Sequence, residues 1–362
     1  MTLSDRKNEI VLKAAIVLAA IVSLAGCGGK SATSGGGGGN PPPPPPTAAK
    51  SIYVIQNSLT FPITPGSILQ FSTAASGNIT PENTITPPAA GDDLQGLATD
   101  SDGNLYVSTR TQTAATTALL EYAPGASGTP APTRSIPSNN TTMMWAPDGL
   151  AISPTGQIIV GEDNGGVATY SSTANGSVAP EYYILGQFET GGGLSLLNSA
   201  EEVAVGSSGE LYVYNWGEIG AEPIEVFAAT ANGNVAPIGS LGGPLTGLAA
   251  ENIGGIATDS TGNVYISTST VNGGVIEIFA PGVFGNVAPI HTISGTATQL
   301  GYLGGIQLDA VGNIYVVSTT STGQDPTVLR FPAAATGNVA PTLTITSSAW
   351  TYPDDYFSLA VY

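Results

Sequence analysis

Apolar residues in this chain fall in short runs broken by glycine, proline, asparagine and serine, and they do not recur at the 3.6-residue spacing of a helix. Five segments repeat one pattern: Gly96-Leu-Ala-Thr-Asp-Ser-Asp-Gly-Asn-Leu-Tyr-Val107, Gly149-Leu-Ala-Ile-Ser-Pro-Thr-Gly-Gln-Ile-Ile-Val160, Glu202-Val-Ala-Val-Gly-Ser-Ser-Gly-Glu-Leu-Tyr-Val213, Gly255-Ile-Ala-Thr-Asp-Ser-Thr-Gly-Asn-Val-Tyr-Ile266 and Gly305-Ile-Gln-Leu-Asp-Ala-Val-Gly-Asn-Ile-Tyr-Val316. Their starts are 53, 53, 53 and 50 residues apart. Each predicts a strand, a glycine-containing tight turn and a second strand, which is a hairpin. A third strand follows, as in Ala118–Tyr122, Ile224–Phe227, Val275–Phe279 and Val328–Phe331. A turn of the type Ala-x-Gly-Asn-Val-Ala-Pro then leads to a short fourth strand, at Ala231–Pro237, Phe284–Pro289 and Ala335–Pro341. One repeat is therefore a four-stranded antiparallel sheet.

The chain ends complete the count. Ser51–Val54, Ser67–Phe71 and Ser76–Pro81 match the second strand, the third strand and the turn before the fourth, but nothing upstream matches the first. Ser358-Leu-Ala-Val-Tyr362 fits that missing strand, 53 residues after Gly305. Pairing it with the first sheet closes a ring of six blades. The fold class predicted is an all-β, six-bladed β-propeller over residues 51–362, whose closure removes open sheet edges and whose blades each bury both faces against neighbours.

Composition agrees with an all-β chain. Gly 48 and Pro 27 make up about a fifth of the 362 residues, well above ordinary usage. With 8 Lys and Arg against 26 Asp and Glu, the formal charge of −18 excludes a nucleic-acid partner, since phosphate binding needs clustered basic residues. One Cys and one His leave no disulfide framework, zinc cluster or thiol–imidazole pair.

The N-terminus carries an export signal. Arg6, Lys7 and Lys13 precede an apolar run from Ala14 to Leu24, too short to span a bilayer and right for the core of a signal peptide over residues 1–26. It ends in Leu24-Ala25-Gly26-Cys27, which resembles the lipobox of bacterial lipoproteins. That resemblance implies cleavage before Cys27 and acylation of its thiol, palmitate included. Beyond Cys27 the chain keeps 5 basic and 24 acidic residues, so attachment to the membrane depends on acyl chains rather than on attraction to anionic lipid. Residues 27–50 read as lipidated Cys and linker, with Gly35–Gly39 as a flexible joint and Pro41–Pro46 as a stiff polyproline II spacer. Gly28 in place of an aspartate favours the outer over the inner membrane by resemblance to enterobacterial lipoproteins. The expected state is an exported, envelope-anchored monomer.

The run Gly-Ile-Ala-x-Asp-x-x-Gly-Asn-Ile-Tyr-Val resembles the NHL-repeat and SMP-30/gluconolactonase propellers. The resemblance implies the propeller fold and leaves activity open, because such propellers include enzymes and protein-binding platforms. Where the family often continues Val-Ala-Asp, this chain reads Val107-Ser-Thr109, Ile266-Ser-Thr268 and Val316-Val-Ser318; only Gly161-Glu-Asp163 keeps acids. That removes most candidates for a gluconolactonase-like divalent-metal site.

Asp100-Ser-Asp102-Gly-Asn104 could begin a calcium loop, but the other repeats keep the turn and not the carboxylates, so turn chemistry is the expectation. His291 aligns with Arg134, Tyr182, Gly239, Leu343 and Asn83 on the outermost strand, away from the axis where streptogramin-lyase-like propellers use histidine. Propeller topology places the loops into the innermost strands and those between second and third strands on one face, opposite the repetitive turns. Trp145, Trp216 and Trp350 fall on the first face. So do acids that precede innermost strands: Asp92 and Asp93, Asp148, Glu201 and Glu202, Glu251, and Asp354 and Asp355, with Tyr302 at the sixth blade. The ligand-binding candidates are thus Asp93, Trp145, Asp148, Glu201, Glu202, Trp216, Glu251, Trp350, Asp354 and Asp355. The reading is a non-catalytic module binding a protein segment, a glycan or a cation. The alternatives are a cation-dependent hydrolase or lactonase using the same acids, and a structural envelope scaffold in which acids confer solubility and tryptophans pin loops. No catalytic residue, resident cofactor or metal ligand is assigned, and a divalent cation is the one cofactor left open.

Overall fold

The computed structural model describes residues 50–57, 66–74, 76–88, 93–110, 117–163, 165–187, 194–216, 223–248, 253–319, 326–350 and 358–362. The signal peptide, Cys27 and linker residues 28–49, together with Asp92, Glu251, Asp354 and Asp355, lie outside the described residues. The chain forms six antiparallel blades in a ring. From the innermost strand outward, the second blade is Asp93–Thr99, Leu105–Arg110, Ala118–Tyr122 and Arg134–Pro137; the third is Pro147–Ile152, Ile158–Glu162, Val167–Tyr170 and Tyr182–Ile184. The fourth is Ala200–Val205, Leu211–Asn215, Ile224–Phe227 and Gly239–Leu241, and the fifth Ile253–Thr258, Val264–Thr270, Gly273–Phe279 and His291–Ile293. The sixth is Tyr302–Leu308, Ile314–Thr319, Thr327–Phe331 and Leu343–Thr346.

The first blade is built from both ends of the domain. Ser51–Gln56, Ser67–Ser72 and Asn83–Ile85 supply three strands, and Leu359–Val361 pairs with Ser51–Gln56 in the register Ile52↔Val361 and Val54↔Leu359. The closing strand is also tied to the second blade, where Leu97 N–H donates to Ser358 Oγ at 3.0 Å and Thr99 Oγ1 to the Val361 carbonyl at 2.7 Å.

The core lies between blades. Six apolar clusters occupy the six blade–blade junctions, which is why strands such as Ala118–Tyr122 are buried along their whole length. In the Asp-x-x-Gly-Asn turns the aspartate oxygens are taken up by hydrogen bonds within the turn itself. Asp100 Oδ1 accepts the Asp102 and Asn104 N–H groups, and Oδ2 accepts Asn104 Nδ2 and the Tyr106 hydroxyl. Asp259 and Asp309 accept in the same pattern from Asn263 and Tyr265, and from Asn313 and Tyr315.

The Gly-Asn turns differ from the expectation that sets them on the face opposite the loops. Each folds back along the outer edge of the preceding blade: Gly77–Asn78 pairs in parallel with Leu343–Thr346, and isolated parallel bridges join Ile85 to Gly128, Ile184 to Gly233, Leu241 to Gly285 and Ile293 to Gly337. The asparagine then reaches the loop into the next innermost strand, as when Leu194 N–H donates to Asn234 Oδ1 and Leu245 N–H to Asn286 Oδ1, both at 2.6 Å. These turns stitch blades together.

Candidate functional site at one end of the channel

Every innermost strand from the second blade to the sixth is irregular at the same repeat position. Register shifts occur at Leu94/Leu97, opposite Val160/Glu162, and at Ala200/Glu202, Ile253/Gly255 and Leu303/Ile306. A β-bulge inserts an unpaired residue and re-aims its side chain. The bulges carry Gln95 and Gly96, Asp148 and Gly149, Glu201 and Glu202, Gly254 and Gly255, and Gly304 and Gly305. Glycine is required where innermost strands converge: a Cβ on Gly96 would lie 2.5 Å from the Asp148 carbonyl oxygen, and one on Gly149 would strike the Glu201 carbonyl. Only the fourth blade replaces that glycine with an acid, Glu202.

Serines at the facing position of the second strand lock the bulges of adjacent blades. Ser108 Oγ accepts the Gly96 N–H and donates to the Asp148 carbonyl, each at 2.7 Å, and Ser267 Oγ donates to the Gly304 carbonyl at 2.8 Å. Ser108 thereby holds the bulges of the second and third blades side by side, as Ser267 does for the fifth and sixth. Asp148 is 5% exposed, and its Oδ2 has no hydrogen-bond partner; Gln95, 3% exposed at the equivalent bulge, has an unpartnered Oε1.

One cation answers this cluster among the described residues. Arg110 pairs with Asp163 at 2.6 Å, and Ser199 Oγ donates to the other Asp163 oxygen at 2.9 Å. Burial pushes the Asp148 carboxyl up to about 7, with Arg110 opposing and Asp163 adding to the shift. Burial pushes Glu201 up to about 8, reinforced by Asp148 and Asp163 and opposed by Arg110. Glu202 is raised well above the ordinary range by burial and then by Asp148 and Glu201. Asp93, half-buried and cross-strand from Arg110, is raised by burial against the pull of that guanidinium.

The tryptophans divide. Trp145 and Trp216 are 43% and 47% exposed, on loops of the third and fourth blades. Glu162 Oε2 fixes the first loop by accepting the N–H groups of Trp145 and Ala146, and Trp216 N–H donates to the Ser199 carbonyl at 2.9 Å. Trp350 does not belong to the exposed face: it is 5% exposed and packs in the junction of the sixth and first blades, its ring 6.3 Å from that of Phe71. Tyr302 is exposed, and His291 is exposed on the outermost strand of the fifth blade. Arg110 escapes sequence reasoning, although a signal exists: it stands one repeat of 53 residues before Asp163, at the same place in the adjacent blade. Among the described residues, no three of His, Cys, Asp and Glu are grouped to hold a metal ion.

No family model matches the sequence, and no curated protein is similar to it. Among solved structures, a protein of unknown function from Bacteroides caccae superposes with a TM-score of 0.54 at 7% identity, over 87% of this chain and 99% of that one. The WD40 β-propeller domain of Doa1 aligns with a TM-score of 0.45 at 12% identity, over 83% of this chain and 87% of that one. At 7% identity the first likeness is one of fold: the chain is a six-bladed β-propeller.

Proposed function

We propose that the protein is a lipid-anchored cell-envelope propeller that binds the protonated amine of a ligand at the acidic end of its channel and does no chemistry on it. The observation that carries this reading is the buried Asp148 carboxylate with its unpartnered oxygen, matched by the unpartnered Gln95 oxygen at the equivalent bulge of the adjacent blade. Both atoms are acceptors. The group they match donates only, which describes an ammonium with its three N–H donors better than a sugar hydroxyl. Leaving a carboxylate buried and uncompensated costs several kcal/mol; a cation entering beside Glu201 and Glu202 offsets that cost and expels protons held by the raised carboxyls. Trp145 and Trp216 offer ring faces that attract cations. The exposed outer position of the single histidine favours binding over acid–base catalysis, and the NHL-like repeat pattern is compatible with a binding platform. The signal run and Cys27 support the anchor.

Calorimetry on the full-length protein in detergent, with spermidine and trilysine as probes, tests the site. Binding is expected at both about pH 6 and about pH 8, tighter at the higher value and with proton release, since the raised carboxyls straddle that range. Asp148→Asn is expected to weaken it about tenfold, equivalent to about 1.4 kcal/mol. Absence of heat with both probes, or affinity independent of pH and of Asp148, rejects the site. For the anchor, Cys27→Ala is expected to abolish palmitate incorporation and move the protein to the soluble fraction; retention in the membrane rejects it.

A further inference from the structure

The blade repeat is broken at one junction in a way the acidic site does not use. Five blades place a tyrosine at one position of the second strand: Tyr53, Tyr106, Tyr212, Tyr265 and Tyr315. Its ring fills the wedge toward the next blade, and in all but Tyr53 its hydroxyl donates to an acid of the preceding turn, at 3.1 Å for Tyr106 to Asp100 and Tyr265 to Asp259. Between the second and third blades this wedge is further filled by Arg134, which pairs with Glu121, donates to the Tyr106 hydroxyl at 2.8 Å and crosses to the Ser172 carbonyl at 2.6 Å. The space left there is about 10 Å³.

The third blade is shortened at each of these places. Ile159 stands for the tyrosine, Thr169 for the glutamate paired across from it, and Ser153 for the aspartate, while the turn survives because Ser153 Oγ accepts the Gln157 N–H at 3.0 Å. The wedge between the third and fourth blades is accordingly a cleft of about 250 Å³. Ile159, Leu211 and Val205 give it an apolar interior, and Thr169, Ser153 and Ser207 bring hydroxyls to it; no lining residue is charged. An engineered apolar cavity of about 150 Å³ takes up benzene, so this one has room for a substituted ring.

We propose that this cleft binds a neutral monocyclic phenol, the ring lying where the other blades lay their own tyrosine and the hydroxyl exchanging hydrogen bonds with the serine and threonine side chains. The absence of charge separates it from the amine-binding end of the channel, and the mainly apolar lining suits an aromatic ring better than a fully hydroxylated sugar.

The test is ligand-detected NMR and thermal unfolding of the full-length protein with 4-methylphenol, with toluene as the control lacking the hydroxyl. A ligand of this size is expected to bind with a dissociation constant of about 1 mM and to raise the unfolding temperature. Ile159→Tyr, which restores the repeat residue, is expected to abolish binding and stabilise the protein. Thr169→Leu fills the same space from the facing strand and gives the same loss of binding if the first variant fails to fold. Asp148→Asn leaves 4-methylphenol binding unchanged, so failure here is distinct from failure of the amine site. No saturable signal at about ten times the expected constant, binding that survives either filled variant, or toluene binding as well as 4-methylphenol overturns the proposal.

Discussion

Asp148 shows what one side chain contributes to pH response. Its folded pKa of about 7 lies above the ordinary carboxylate value of 3.8, so between roughly pH 4 and 7 the folded protein holds a proton that the unfolded chain has lost. The stabilisation is complete below that window and disappears as pH rises through it. Denaturant unfolding is expected to show stability falling across the window, and Asp148→Asn is expected to match the parent near pH 4 and exceed it near pH 8 by on the order of 4 kcal/mol. Stability that rises with pH, or a variant that follows the parent, contradicts the burial argument. The candidate acids are legible because each stands at or just before the start of a repeat that forms an innermost strand. Loop position alone says nothing of whether an indole turns inward, and the Trp350 ring packs beside Phe71 instead of joining the exposed face. Arg110 was hidden because it follows the repeat motif rather than lying within it.

At the level of the strand, the recurring bulge converts a packing constraint into a display. Innermost strands approach so closely that Gly96 and Gly149 admit no side chain, and the unpaired residue beside them carries whatever the blade presents to the channel. Gly149→Ala is expected to cost about 1 to 3 kcal/mol, since overpacking against a backbone carbonyl cannot be relieved by a rotamer change. Equilibrium unfolding measures it; a loss below about 0.5 kcal/mol would show that the strands yield. Strand identity and hairpin turns could be read from glycine, asparagine and apolar spacing. The bulge could not, because a one-residue register shift leaves no distinct residue signature when its occupants range from Gly254 to Glu201. The Gly-Asn turns were recognised as turns but misplaced, since their bonds run to the neighbouring blade, over distances of about 40 residues such as Leu194 to Asn234.

For the whole ring, stability depends on completing every junction, because six separate clusters each need two blades. Removing residues 359–362 is expected to leave the first blade three-stranded, to strip Leu359 and Ala360 from their junctions and to replace one cooperative transition with broad unfolding at lower temperature. A truncated chain that melts as sharply and as high as the parent would show that the ring holds without its clasp. The ring itself was visible in the sequence because the repeat is out of phase with the chain ends, so that the absent first strand and the surplus last one implied each other.

That clasp also sets an order of events. The partner of Ser51–Gln56 on the inner side of its blade is Leu359–Val361, more than 300 residues further along the chain, so the first blade to begin is the last to be completed. Five blades can gather as the chain emerges, yet the ring locks only when Leu359–Val361 arrives. The fold thus makes the order of the chain an order of assembly, with closure held back until the whole domain is present.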